Sequence, residues 1–131
     1  MWRDYLEKST INLLAAERDF EHGSYDPCAS RAYFSAFQAA LAALLALTDY
    51  QKRGRFWDHG NIAAQFAQRL IRRRKVLARS QAGILDDLRL FRHQADYDAV
   101  RTSRSRARQS LNKAKPFVAR IEAVLKREQA T

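Results

Sequence analysis

From Ala32 to Thr48 the chain runs without a charged side chain, and alanines stand at positions 29, 32, 36, 39, 40, 42, 43 and 46. The polar residues Arg31, Ser35 and Gln38 fall at i, i+4 and i+7, which on a helix is one narrow stripe; every other face is apolar. Such a helix has to be covered nearly all round, and the alanines let neighbouring backbones come close while Tyr33, Phe34 and Phe37 supply bulk. Asp26-Pro27 predicts its start, an N-cap residue followed by proline at the first helical position, and it should end near Leu47. The uncharged run is shorter than the roughly 20 residues that cross a bilayer. It therefore predicts a central core helix, which could also serve as a dimer face.

Four further helices follow from periodicity. Leu6, Leu13 and Phe20 recur every seven residues with Ala16 between them, and Gly23 closes that helix as a C-terminal glycine should. Asp58 is placed to cap a helix carrying Ile62, Phe66 and Leu70 that ends in Arg72-Arg73-Arg74-Lys75, where cations suit the helix dipole. Ser80 predicts the cap of a fourth helix with Ile84, Leu88, Phe91 and Ala95 on its inner face. Ala107, Leu111, Ala114, Val118, Ile121 and Leu125 mark a fifth, with Pro116 expected to kink or restart it. No run alternates with the period of a strand, and hairpin-type glycine turns are missing. The expected fold is all-α, an antiparallel up-and-down four-helix bundle with an additional short helix, in one domain over residues 1–131.

A chain of 131 residues with 47% hydrophobic side chains and only 4 Gly and 2 Pro has enough apolar material for one packed core. Its one cysteine, Cys28, has no internal disulfide partner, which predicts a small buried hydrophobe and a reducing setting. Met1-Trp2-Arg3-Asp4-Tyr5 lacks the basic-then-apolar pattern of a secretory signal, and a cytoplasmic location is expected. The three histidines, His22, His59 and His93, stand in separate segments, so no metal site and no cofactor is expected. His59-Gly60, beside Trp57 and the Asp58 cap, reads as a loop or first-turn pair.

The net charge of +10 is unevenly spread. Residues 1–51 hold four basic and seven acidic residues; 52–79 hold nine basic residues against Asp58, and 101–127 nine against Glu122. Two cationic segments of this kind favour polyphosphates, nucleic acid or an acidic partner. Arg31, Arg72, Arg73, Arg74 and Lys75 are the candidate nucleic-acid or phosphate contacts. Chemistry concentrates in Phe91-Arg92-His93-Gln94-Ala95-Asp96-Tyr97, where Asp96 lies at helical spacing from both Arg92 and His93. An arginine steadied by a carboxylate can grip phosphate with its fork, and a histidine can exchange protons near neutral pH.

The string Cys28-Ala29-Ser30-Arg31-Ala32-Tyr33-Phe34-Ser35-Ala36-Phe37-Gln38-Ala39-Ala40-Leu41 continues through Ala42-Ala43-Leu44-Leu45 and resembles the second helix of HEPN domain proteins. Downstream, His59-Gly60 is similar to the His-containing start of that family's next helix, and Arg92-x3-Asp96-Tyr97 to its Arg-x-x-Ala-Asp-Tyr element. The resemblance implies a helical bundle that pairs as a homodimer, often encoded beside a minimal nucleotidyltransferase, with a nucleotide or RNA as ligand. Many members are metal-independent ribonucleases acting through Arg-x4-6-His, and several are toxins of toxin-antitoxin pairs. Arg92 matches the motif arginine and His93 the polar position after it, but Tyr97, Asp98 and Ala99 stand where the terminal histidine would fall. The resemblance thus implies Arg92, His93, Asp96 and Tyr97 as the site, in a subunit that binds nucleotide, RNA or a partner nucleotidyltransferase. The alternatives are a ribonuclease toxin with a degenerate motif and a non-catalytic structural adaptor.

Overall fold

The computed structural model describes residues 1–129. Five α-helices follow one another: α1 (Trp2–Glu21), α2 (Tyr25–Leu47), α3 (His59–Phe66), α4 (Ile84–Tyr97) and α5 (Arg104–Gln129). No strand occurs among the described residues. α1, α3, α4 and α5 all pack on α2, which is the axis of the fold. Ala32, Ala36, Ala39, Ala40, Leu41 and Leu44 along it are fully buried, and one contiguous core reaches from Ala16 to Leu125. By length and mean hydropathy α2 is able to cross a membrane, and it is longer than its uncharged run alone predicts; here its apolar faces are covered by the chain's own helices.

The polar stripe of α2 is covered as well. It faces α1, to which α2 returns after the short turn 22–24, where Gly23 takes a left-handed φ of 75°. Arg31 pairs with Asp19 across 3.1 Å, the buried Ser9 hydroxyl donates to the Ser35 carbonyl at 2.6 Å, and the Asn12 and Gln38 amides meet at 2.8 Å. The Ser35 hydroxyl itself donates to the Ala32 carbonyl of its own helix at 2.8 Å, so the polar groups of the stripe are satisfied partly by α1 and partly within α2, which removes most of the cost of burying them. Cys28 is buried as expected; burial, with Asp19 nearby, pushes its thiol up to about 11.

Three local expectations differ from the structure. α2 begins at Tyr25, and Asp26 does not cap it: its carboxylate accepts the Thr102 N–H at 2.8 Å, tying the α4–α5 connection to the start of α2. Pro27 still lies in the first turn, where a missing N–H costs nothing. Ser80 does not cap α4 either; it lies in a 3-10 turn over Arg79–Gln81, and α4 starts at Ile84 behind Gly83, with Asp86 and Asp87 facing its positive end. α5 runs through Pro116 without a break, because Pro116 and Asn112, whose carbonyl loses its partner, both lie on the exposed side where water can take over.

The Asp58 cap is present, its carboxylate accepting the Asn61 N–H at 3.0 Å. Beyond Phe66 the helix widens into a π-helical stretch, Ala67–Arg73, and two residues past its end Lys75 takes a left-handed φ of 54°.

The fully buried alanines predict that extra volume on α2 is not tolerated. Ala40→Leu should cost about 1–3 kcal/mol in chemical denaturation, the usual penalty for overpacking a dense core. A variant as stable as the parent would contradict close packing around α2.

Candidate functional site

The long connection from α2 to α3 is held at several points, and the effect is to place the first residue of α3. The Tyr50 hydroxyl donates to the Asn61 side chain at 2.7 Å, next to the Asp58 cap. The Trp57 indole donates to the Tyr5 hydroxyl at 3.0 Å, with the two rings edge to face at 5.8 Å. His59 is thereby laid against the aromatic face of α2. Its ring stacks on Phe37 at 4.1 Å and 14°, runs nearly parallel to Tyr33 at 5.7 Å, and meets Phe34 edge-on at 6.2 Å. The Tyr33 hydroxyl and His59 Nδ1 are 2.6 Å apart.

Two arginines of α4 stand over this pair. Arg92 lies on the Phe34 ring, 5.1 Å from its centroid, and its Nε is 2.9 Å from Asp96. Arg89 passes Gly60 within van der Waals range of where a side chain would begin. Among the described residues no carboxylate pairs with Arg89. Burial pushes the Tyr33 hydroxyl up to about 12, against the pull of Arg89 and Arg92 and with a smaller push from Asp86. Burial also lowers His59, helped by Arg89 and Arg92 and opposed by Asp58. Both groups are therefore neutral at neutral pH, with two cations beside them.

Asp86, Arg89, Leu90, Arg92, His93 and Tyr97 line an open depression of about 440 Å³. A second, of about 500 Å³, is lined by Asn12, Ser30, Arg31, Phe34 and Asp96 among others. Arg92 borders the first depression, and its partner Asp96 borders the second. Of the residues singled out from sequence, Arg92, His93 and Tyr97 share the first depression, with the His93 and Tyr97 rings 4.8 Å apart. Asp96 reaches Arg92 and turns to the second depression, which Arg31 borders while paired with Asp19.

The Arg72–Lys75 run is elsewhere. Arg72 and Lys75 edge a separate concavity with Ile71, Val76, Leu77 and Arg79, whereas Arg74 turns to the Leu47 carbonyl and lies 3.9 Å from Glu128. Sequence reasoning missed Tyr33, His59 and Arg89. Arg89 was detectable, three residues before Arg92 and so on the same helix face. The pairing of Tyr33 with His59 joins residues 26 apart across a long loop, and no local pattern announces it.

The lowered His59 pKa has a definite consequence for stability. Above about 6.5, the ordinary value, the ring is neutral in folded and unfolded chains alike. As pH falls below it the unfolded chain takes up the proton first, so the folded state loses stability until the folded pKa is passed. Between about pH 7.5 and pH 5.5 the parent should therefore lose more stability than His59→Gln in parallel denaturation series. Equal losses would show that His59 does not titrate against its surroundings.

No curated protein matches the chain. The family model for the HEPN domain matches residues 2–124, which takes in α1 to α4, both depressions and most of α5. With nearly its whole length matched, the chain belongs to the HEPN domain family.

Proposed function

We propose that this chain is a phosphate-recognising HEPN subunit that binds a nucleotide or single-stranded RNA at the depression under Arg89 and Arg92. The observation that carries this reading is the pair of guanidinium groups beside a neutral, stacked His59, with Arg92 steadied by Asp96. Guanidinium forks match phosphate oxygens, and an arginine already oriented by a carboxylate loses less freedom when it binds. The half-buried Arg92–Asp96 pair by itself contributes little to stability. In this reading the helices form an up-and-down bundle. Two copies pair over the exposed Leu90, Tyr97 and Val100 so that both clusters border one basic cleft, and a small nucleotidyltransferase is the protein partner.

A second reading, a metal-independent ribonuclease, is favoured by one feature: the exposed His93 shares the depression with Arg92. There the ribose 2′-hydroxyl would attack the phosphorus while His93 takes its proton and Arg92 stabilises the charge on the phosphorane; the P–O5′ bond would then break, the 5′-oxygen leaving with a proton from water, and a 2′,3′-cyclic phosphate would remain.

Losing a charge-assisted hydrogen bond costs about 1.5–3 kcal/mol, so Arg89→Ala and Arg92→Ala should each weaken binding of a single-stranded oligoribonucleotide about tenfold or more. Each should also flatten the salt dependence by about 0.7 in log–log slope, while thermal stability changes by no more than about 1 kcal/mol. Unchanged affinity in both variants would refute the site. Metal-free cleavage that His93→Ala abolishes would move the assignment to the second reading.

A further inference from the structure

We infer that Tyr33 locks His59 in its Nε2–H tautomer, which makes His59 a fixed neutral N–H donor toward a phosphoryl oxygen and disqualifies it as a proton acceptor. The lock follows from the Tyr33–His59 geometry alone; the ligand rests on the phosphate-binding reading above. Tyr33 is 1% exposed, and its hydroxyl lies 2.6 Å from His59 Nδ1 with no other partner among the described residues. If Nδ1 carried the ring proton, it would donate to the tyrosine oxygen and leave the hydroxyl proton buried without an acceptor. If Nδ1 is bare, the hydroxyl donates to it and only an oxygen lone pair is left over, the cheaper deficit. The ring proton is then on Nε2.

Nε2 has no partner among the described residues, and His59 is only half-buried, so this donor is left for a ligand or for water. The charged groups around it are Asp58 from the α3 cap and Asp86, Arg89 and Arg92 from α4. A neutral N–H beside two guanidinium groups supplies donors to an anion's oxygens without a third charge that would repel the other two. Protonating His59 would put a hydrogen on Nδ1 against the buried hydroxyl proton. The tautomer therefore persists through neutral pH, and His59 differs in kind from the exposed His93.

Ring ¹H–¹⁵N spectra of the full chain, with His59 assigned through His59→Gln, read the tautomer with no ligand present. The expected result is a protonated Nε2 and an unprotonated Nδ1 from about pH 7 to pH 8, and a mixture of tautomers with a raised pKa in Tyr33→Phe, which keeps the ring in the core. A proton on Nδ1 in the parent, or a Tyr33→Phe spectrum identical to it, overturns the lock. For the ligand, adenosine 5′-monophosphate is the probe. His59→Gln keeps an N–H donor and should bind within about threefold of the parent, whereas His59→Leu should bind at least about tenfold more weakly. Equal losses in the two variants overturn the donor role. Failure of the parent to bind the probe overturns the ligand assignment, while the tautomer stands or falls on its own spectrum.

Discussion

The need to enclose α2 on every side organises this molecule. A 23-residue helix with alanine at its contact points has no large side chains to hold partners at a distance, so α1, α3, α4 and α5 approach its backbone closely and share one core. Along the stripe that is not apolar, Asp19 and Asn12 of α1 meet the Arg31 and Gln38 side chains, and the Ser9 hydroxyl meets the Ser35 carbonyl. Those pairings also set how α1 and α2 lie against each other, because a shift along either helix would bury unpaired amides and hydroxyls.

The site is a by-product of the same enclosure. On the side of α2 that meets α3 and α4 the small residues give way to Tyr33, Phe34 and Phe37, and three aromatic rings create a slot for a flat side chain. His59 fills it, with Phe37 as the stacking surface and Tyr33 as the hydrogen-bond partner. Arg92 rests on Phe34, and Arg89 crosses beside Gly60, so α4 adds positive charge where the aromatic slot opens. Placing Arg89 there without a carboxylate partner gains the fold little. Local arrangements that forgo stability in this way are characteristic of functional sites.

The helices were legible because burial imprints its period on the sequence. Ala16, Leu88, Ala114, Val118, Ile121 and Leu125, all read from spacing, are all buried. Caps were less legible: Asp26 and Ser80 have the right chemistry for an N-cap, but Asp26 is used by the distant Thr102 N–H and Ser80 by a 3-10 turn. At the site, the Arg92–Asp96 pair was visible because it is local. His59 looked like a first-turn residue, and it is one; that it also lands on Phe37 and Tyr33 depends on how the loop through Tyr50 and Trp57 is pinned. The abundance of arginine drew attention to residues 72–75, yet the arginines that share a site with aromatic and polar groups are the two on α4.

In the function proposed above, ligand recognition falls to α4 and the start of α3, not to the longer cationic run after the π-helical stretch. Amide and arginine side-chain ¹H–¹⁵N spectra, recorded while a single-stranded oligoribonucleotide is titrated into the labelled chain, test that placement directly. The largest shifts are predicted at the Arg89 and Arg92 Nε–H groups and at the backbone of His59 and Gly60. Shifts concentrated at Arg72 to Lys75, with α4 unmoved, would contradict it.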